Sequence, residues 1–231
     1  MKRLVLFDID GTILHGGKLW RECFEGALQK CFPNGEFVKV PFNGKTDRQI
    51  CMEMLATIAT GCDWKDSCID SVISEYLTRV KQALNTGRGN EVTLLPGVQS
   101  AIEKLATNPA VQLGLLTGNV HEGAHLKLLA VRMGHYFPFG AFGDDHWDRY
   151  QLPKIAVDRA HKKYGTRYEG KEVVIIGDTV HDVNCGKSIG VRAIAVGTGR
   201  GITKEELLNA SPDFYFDTLE DTNGLLRAVL E

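Results

Sequence analysis

The chain has 231 residues, a formal charge of −2 and 43% hydrophobic residues. That length supports one large domain or one domain with an insertion, and the near-neutral charge lacks the basic footprint of a nucleic-acid binder. Met1-Lys2-Arg3 resembles the basic end of a signal peptide, but Asp8 cuts the apolar run short, and no apolar stretch approaches the roughly 20 residues of a membrane span.

The first strand covers about Arg3 to Phe7, and Ile13 to Gly17 reads as a turn or short flap. Apolar residues then recur at helical spacing from Leu19 to Phe32, and Pro33-Asn34-Gly35 stops that helix. The same period runs from Asp47 to Thr60, closed by Gly61, and from Trp64 to Leu84. Between Ile13 and about Asn90 the pattern predicts helices and no strand, and Asn85 to Asn90 reads as a hinge. After Pro96-Gly97 the pattern changes: helix Val98–Thr107, strand Val111–Leu116, helix Val120–Met133, a short strand near Ala141-Phe142, helix Pro153–Tyr164. Strand Val173–Ile176, helix His181–Ile189, strand Arg192–Val196, helix Lys204–Asn209, edge strand Phe214–Phe216 and a final helix complete the chain. Strands alternating with helices imply parallel βαβ units, and near-continuous apolar strands imply a sheet covered on both faces. The helical segment is then an insertion after the first strand.

Cys23, Cys31, Cys51, Cys62, Cys68 and Cys185 contain no C-x-x-C pair. Scattered thiols of a reducing cytoplasm fit this better than a disulfide frame or a zinc site.

In open α/β sheets ligands sit outside the carboxyl ends of the strands. The first strand delivers Asp8-Ile9-Asp10-Gly11-Thr12, two carboxylates beside a core, which are costly unless a metal, a partner or a reaction occupies them. A calcium loop fails, because Leu19 stands where a bidentate Glu is needed and Ile13 where Gly is needed. The second strand delivers Thr117-Gly118-Asn119 at a helix N-terminus, either a seat for an anion or an ordinary cap. A later strand delivers Gly177-Asp178-Thr179, with Asp182 one helical turn on, and Lys154 in the first turn of its helix could point into the same crevice.

These four ordered motifs carry a resemblance that spans nearly the whole chain. Asp8-x-Asp10-Gly11-Thr12, Thr117-Gly118-Asn119, Lys154 and Gly177-Asp178-x-x-x-Asp182 resemble the haloacid dehalogenase-like hydrolase superfamily, in its capped phosphoglycolate phosphatase and β-phosphoglucomutase-like group. Family members often have Lys-Pro at the third motif, whereas this chain reads Leu152-Pro153-Lys154. The resemblance implies a Rossmann-like three-layer α/β core with a parallel sheet, residues 1–14 and 93–231, and an inserted α-helical cap domain, residues 15–92. It implies that Asp8 attacks phosphorus and that Asp10 moves the protons. Mg²⁺ would be held by Asp8, the Asp10 carbonyl and Asp178, with Asp182 as an outer carboxylate or a ligand through water. Thr117, the Gly118 and Asn119 backbone and Lys154 would hold the remaining phosphoryl oxygens.

In related capped enzymes the loop at Gly44-Lys45-Thr46-Asp47 reaches over the active site. Lys45 then either meets an anionic group of the substrate or stands in solvent before a helix capped by Thr46 or Asp47. His121 and His125 read as helix-surface residues, Asp144 to Trp147 as a loop that borders the pocket or is solvated, and Gly197 to Gly201 misses the dinucleotide spacing. The expected function is a cytoplasmic, Mg²⁺-dependent phosphatase, monomer or homodimer, acting on a small phosphate ester with no nucleic-acid or membrane partner. A phosphomutase shares every core motif. A phosphonate hydrolase usually has Ala where Gly11 stands, and a silent binding module is disfavoured by the intact Asp8 and Asp10.

Overall fold

A computed structural model describes residues 2–58 and 66–231. The first strand, β1 (Arg3–Phe7), is wholly buried, as its unbroken apolar run requires. A two-residue strand β2 (Leu14–His15) follows, and then three helices, α1 (Leu19–Cys31), α2 (Asp47–Ala56) and α3 (Asp66–Asn85). The chain returns through β3 (Thr93–Leu94), which pairs antiparallel with β2. This small ribbon was not legible in the sequence, because two residues carry no alternation and the pairing joins positions far apart. Cys62 and the expected helix ends at Thr60, Gly61 and Trp64 lie outside the described residues.

From there the alternation holds: α4 (Val98–Ala106), β4 (Val111–Leu116), α5 (His121–Ala130), β5 (Gly140–Ala141), α6 (Leu152–Tyr164), β6 (Val173–Gly177), α7 (Val180–Ser188), β7 (Arg192–Val196), α8 (Lys204–Asn209), β8 (Phe214–Phe216) and α9 (Thr222–Leu230). The helix expected to reach Met133 ends at Ala130, and Arg132 turns left-handed at φ 59°. Six strands form one parallel sheet in the order β5-β4-β1-β6-β7-β8. β1 therefore sits near the middle, flanked by β4 and β6, which delivers Asp8, Thr117 and Asp178 to one edge.

Period-two geometry divides β1 between two cores. Leu4 and Leu6 face α6 and pack with Leu152, Ala156 and Ala160. Val5 and Phe7 face the other way, into the layer that holds Ala101, Ile102 and Leu105 of α4 and Leu225 and Val229 of α9. The architecture is thus a three-layer, Rossmann-like α/β core with an inserted helical cap. In the cap, Phe24 and Leu28 of α1 meet Val72, Tyr76 and Val80 of α3 in a cluster continuous with the second core layer. Among the described residues no helix is long and apolar enough to cross a membrane, and the five described cysteines are free thiols.

Candidate active site

Gly11 adopts φ +87°, and a Cβ there would stand 2.3 Å from Asp178 Oδ2. Only glycine lets the chain turn left-handed here while the two strand ends close on each other. Beyond that turn, Thr12 donates to Asp178 Oδ1 at 2.8 Å. Asp8, Asp178 and Asp182 converge so that one carboxylate oxygen of each lies within 4.8 Å of the others. All three are buried.

Among the described residues, the only cation paired with members of this triad holds Asp8 and Asp182, and nothing in the sequence marks it. Arg149, in a 3-10 turn just before α6, lies 3.2 Å from Asp8 Oδ2 and also bonds Asp182 Oδ1. It is 3% exposed and works against burial, yet Asp182 and Asp8 hold its guanidinium charged. Lys154, which was expected to supply this charge, is exposed and does not line the cavity. The reason is geometric: Leu152 and Pro153 turn inward onto the sheet at the start of α6, and the next position of the helix faces out. Arg149 was hidden because nothing local marks a lone basic residue in a turn as buried.

The pKa values follow from this crowding. Burial raises the Asp8 carboxyl to about 6, against the pull of Arg149 and with help from Asp182 and Asp10. Burial, then Asp182 and Asp8, raise Asp178 well above the carboxylate range. With all three carboxylates ionised, one guanidinium leaves two negative charges, which a divalent cation would cancel. Asp182 has both oxygens engaged, Oδ1 by Arg149 and Oδ2 by the Thr179 amide at 3.0 Å and hydroxyl at 2.6 Å. The donor set therefore fits a hard dication on Asp8 and Asp178, with Asp182 outside the direct ligands.

Asp10 is set apart. Its Oδ2 accepts from Asn119 Nδ2 at 2.8 Å and from Lys127 Nζ at 2.7 Å. Lys127, in the last turn of α5 and 3% exposed, also donates to Asn119 Oδ1 at 2.6 Å. Nothing in the sequence marks this lysine as buried, because helix lysines ordinarily face solvent. Thr117 accepts from Asn119 Nδ2 at 2.8 Å, and Thr117, Gly118 and Asn119 all line the cavity.

The α5 N-terminus is capped by acidic side chains from other parts of the chain. That end, read as either a seat for an anion or an ordinary cap, has two amides taken by carboxylates: Val120 N donates to Asp47 at 2.9 Å, and His121 N to Asp144 at 3.0 Å. Asp47 comes from the cap, where Thr46 takes the N-cap of its own helix. Gly118 must be glycine for this docking, since a Cβ would stand 2.0 Å from Lys45 O. Lys45 lines the cavity, but Glu53 holds its charge. His121 and His125 are exposed. In the loop after β5, Asp145 pairs with Arg159, and none of residues 144–147 lines the cavity.

Asp47 carries a pH prediction. Burial pushes its carboxyl up to about 6 from 3.8. Between those values the folded state binds the extra proton, so this group lowers stability as pH rises through about 4 to 6. Relative to wild type, Asp47→Asn is expected to gain stability across that window, by at most about 3 kcal/mol. Urea unfolding of both proteins at the two ends of the window checks the sign.

Fold and site together define a carboxylate-centred α/β hydrolase with a helical cap and a place for a divalent cation. Comparison with known proteins gives the particular family. A family model for haloacid dehalogenase-like hydrolases matches residues 5–196, and the chain belongs to that family. The pyrophosphatase PpaX of Oceanobacillus iheyensis is 24% identical over 222 residues, covering 95% of this chain and 94% of the relative. A predicted phosphoglycolate phosphatase from Haemophilus somnus superposes with a TM-score of 0.73 at 16% identity, covering 97% of this chain and 98% of its own. CbbY from Rhodobacter sphaeroides, solved with phosphate, gives 0.71 at 16% identity, covering 96% of each chain. The chain is a hydrolase of the phosphatase kind.

Proposed function

We propose that this enzyme is a Mg²⁺-dependent phosphatase that hydrolyses a small phosphorylated metabolite through an aspartyl-phosphate on Asp8. The observation that carries the reading is the buried triad Asp8, Asp178 and Asp182, closed around Arg149 with two negative charges left over. A carboxylate of Asp8 attacks phosphorus and the bond to the ester oxygen breaks. Asp10, 37% exposed and braced by Asn119 and Lys127, gives the departing oxygen its proton. Water then attacks the same phosphorus, Asp10 takes up the water proton, and inorganic phosphate leaves with Asp8 restored.

Asp8 and Asp178 would hold the metal, together with the Asp10 carbonyl that the family resemblance implies. Bound there, Mg²⁺ supplies charge neutralisation for the phosphoryl oxygens. Thr117 and the Gly118 and Asn119 backbone hold those oxygens on one side, and Arg149 takes on the other side the role first given to Lys154. The Gly11 turn speaks against a phosphonate hydrolase, since the Ala usual there would collide with Asp178. We place the cap at residues 15–92, its ends beside the β2–β3 ribbon, and the enzyme in the cytoplasm, in keeping with its free thiols.

Metal removal tests this reading. In excess chelator the enzyme is expected to release no phosphate from a panel of phosphate esters, and millimolar Mg²⁺ restores release. Mg²⁺ at a hundred times its Kd should also stabilise the fold by about 2.7 kcal/mol, read as a rise in Tm. Phosphate release in chelator, with a Tm indifferent to Mg²⁺, would sink the proposal. Recovery of an isomerised sugar phosphate in place of inorganic phosphate would convert it to a phosphomutase.

A further inference from the structure

One continuous cavity of about 220 Å³ joins Asp8, Asp10 and Asp178 to a wall supplied by the cap. That wall is aromatic. Trp20, Phe24, Phe42 and Tyr76 line it, Phe42 and Trp20 offering the surface while Phe24 and Tyr76 are each only 1% exposed, with Phe24 edge-on to Phe42 at 5.4 Å and tilted against Tyr76 at 5.2 Å. A phosphoryl group seated at Asp8 sends its leaving group toward this wall.

The charges around the cavity matter as much as the rings. Lys45 is spent on Glu53, Lys127 on Asp10, and Arg149 on Asp8 and Asp182. Arg21 lies 3.9 Å over the Phe42 ring and 3.6 Å from Glu25. Arg200, exposed at the rim, is the lining cation without an ion pair among the described residues. Arg21 over Phe42 and Lys127 over Trp20 are already committed to Glu25 and Asp10, so a second phosphoryl group, as in inorganic pyrophosphate, would carry its charge onto the rings with Arg200 at the rim as its unpaired cation among the described residues, which is costly. The same wall suits a flat apolar body. Beside it, His15 Nε2 is buried with no partner among the described residues, so one polar substituent on that body would be met.

We infer that the substrate is the phosphate ester of an alcohol that carries an aromatic ring, and not inorganic pyrophosphate. The inference rests on the phosphatase reading above and names the substrate class of the same site. Recognition is by ring contact, so selectivity appears mainly in KM.

The test compares benzyl phosphate, ethyl phosphate and inorganic pyrophosphate as substrates of the Mg²⁺-loaded enzyme. The two esters release alcohols of similar acidity, so their difference reports binding and not intrinsic reactivity. Benzyl phosphate is expected to exceed both others in kcat/KM by about tenfold or more. Phe42→Ala should shrink that preference toward parity, while Phe42→Tyr, which keeps the ring, should retain it. Equal turnover of the two esters, or pyrophosphate as the best substrate, overturns this inference and leaves the phosphatase standing. No release from these three by an enzyme that does release phosphate from other esters of the panel overturns this inference alone, and no release from any ester in Mg²⁺ overturns both.

Discussion

Asp8→Asn is expected to lower kcat by at least about a thousandfold while the protein stays folded. An amide oxygen is no nucleophile toward phosphorus, and no neighbour is placed to replace it. Asp10 is held by Asn119 and Lys127, Asp182 has both oxygens engaged, and Asp178 is fixed by Thr12. The fold should not suffer. Burial raises the Asp8 carboxyl to about 6 from 3.8, so its ionised form costs metal-free wild type stability as pH climbs through that window. The variant lacks this cost. In chelator its Tm should therefore match or exceed wild type at pH ~7, with a smaller gap near pH ~4. Phosphate release close to wild type would move the nucleophile elsewhere, and a large drop in Tm would mean that Asp8 holds the core together.

What the sequence disclosed and what it hid divide along a physical line. β1, β4 and β6 were legible because apolar runs bounded by Gly, Asp and Thr are local signals. Asp8, Asp10 and Asp178 were legible with them, since a carboxylate at the end of a buried strand is anomalous wherever the sheet places it. Arg149 and Lys127 were not. Each is an ordinary basic residue in a turn or a helix until the tertiary fold encloses it. Asp47 shows the same limit more sharply. It stands where a helix cap is expected, but it caps α5, 73 positions later in the chain, across the contact between cap and core. Lys154 reads as a site residue because it stands in the first turn of its helix and matches the third family motif, but the inward register of α6 is set by Leu152 and Pro153.

Arg149→Met is expected to give the largest loss of stability of any single change at this site, about 3 to 5 kcal/mol in chelator. The guanidinium is 3% exposed and bridges two carboxylates. Removing it leaves Asp8, Asp178 and Asp182 buried together with no counter-charge. Arg149→Lys should recover part of the loss, because one ammonium is a point charge and cannot reach both partners as a planar fork does. Mg²⁺ should recover more, by cancelling the charge that the variant uncovers. Activity should remain about a hundredfold down or worse even with metal, since the cation proposed above to serve the phosphoryl oxygens is gone. Lys154→Ala is the matched control. Its side chain is exposed and outside the cavity, so stability should move by no more than about 0.5 kcal/mol and kcat/KM should hold. Chemical unfolding in chelator and in Mg²⁺, alongside phosphate release, separates the two residues. If Lys154→Ala disables the enzyme and Arg149→Met does not, the cation that serves the phosphoryl group is the one exposed on α6, and Arg149 has no part in the chemistry.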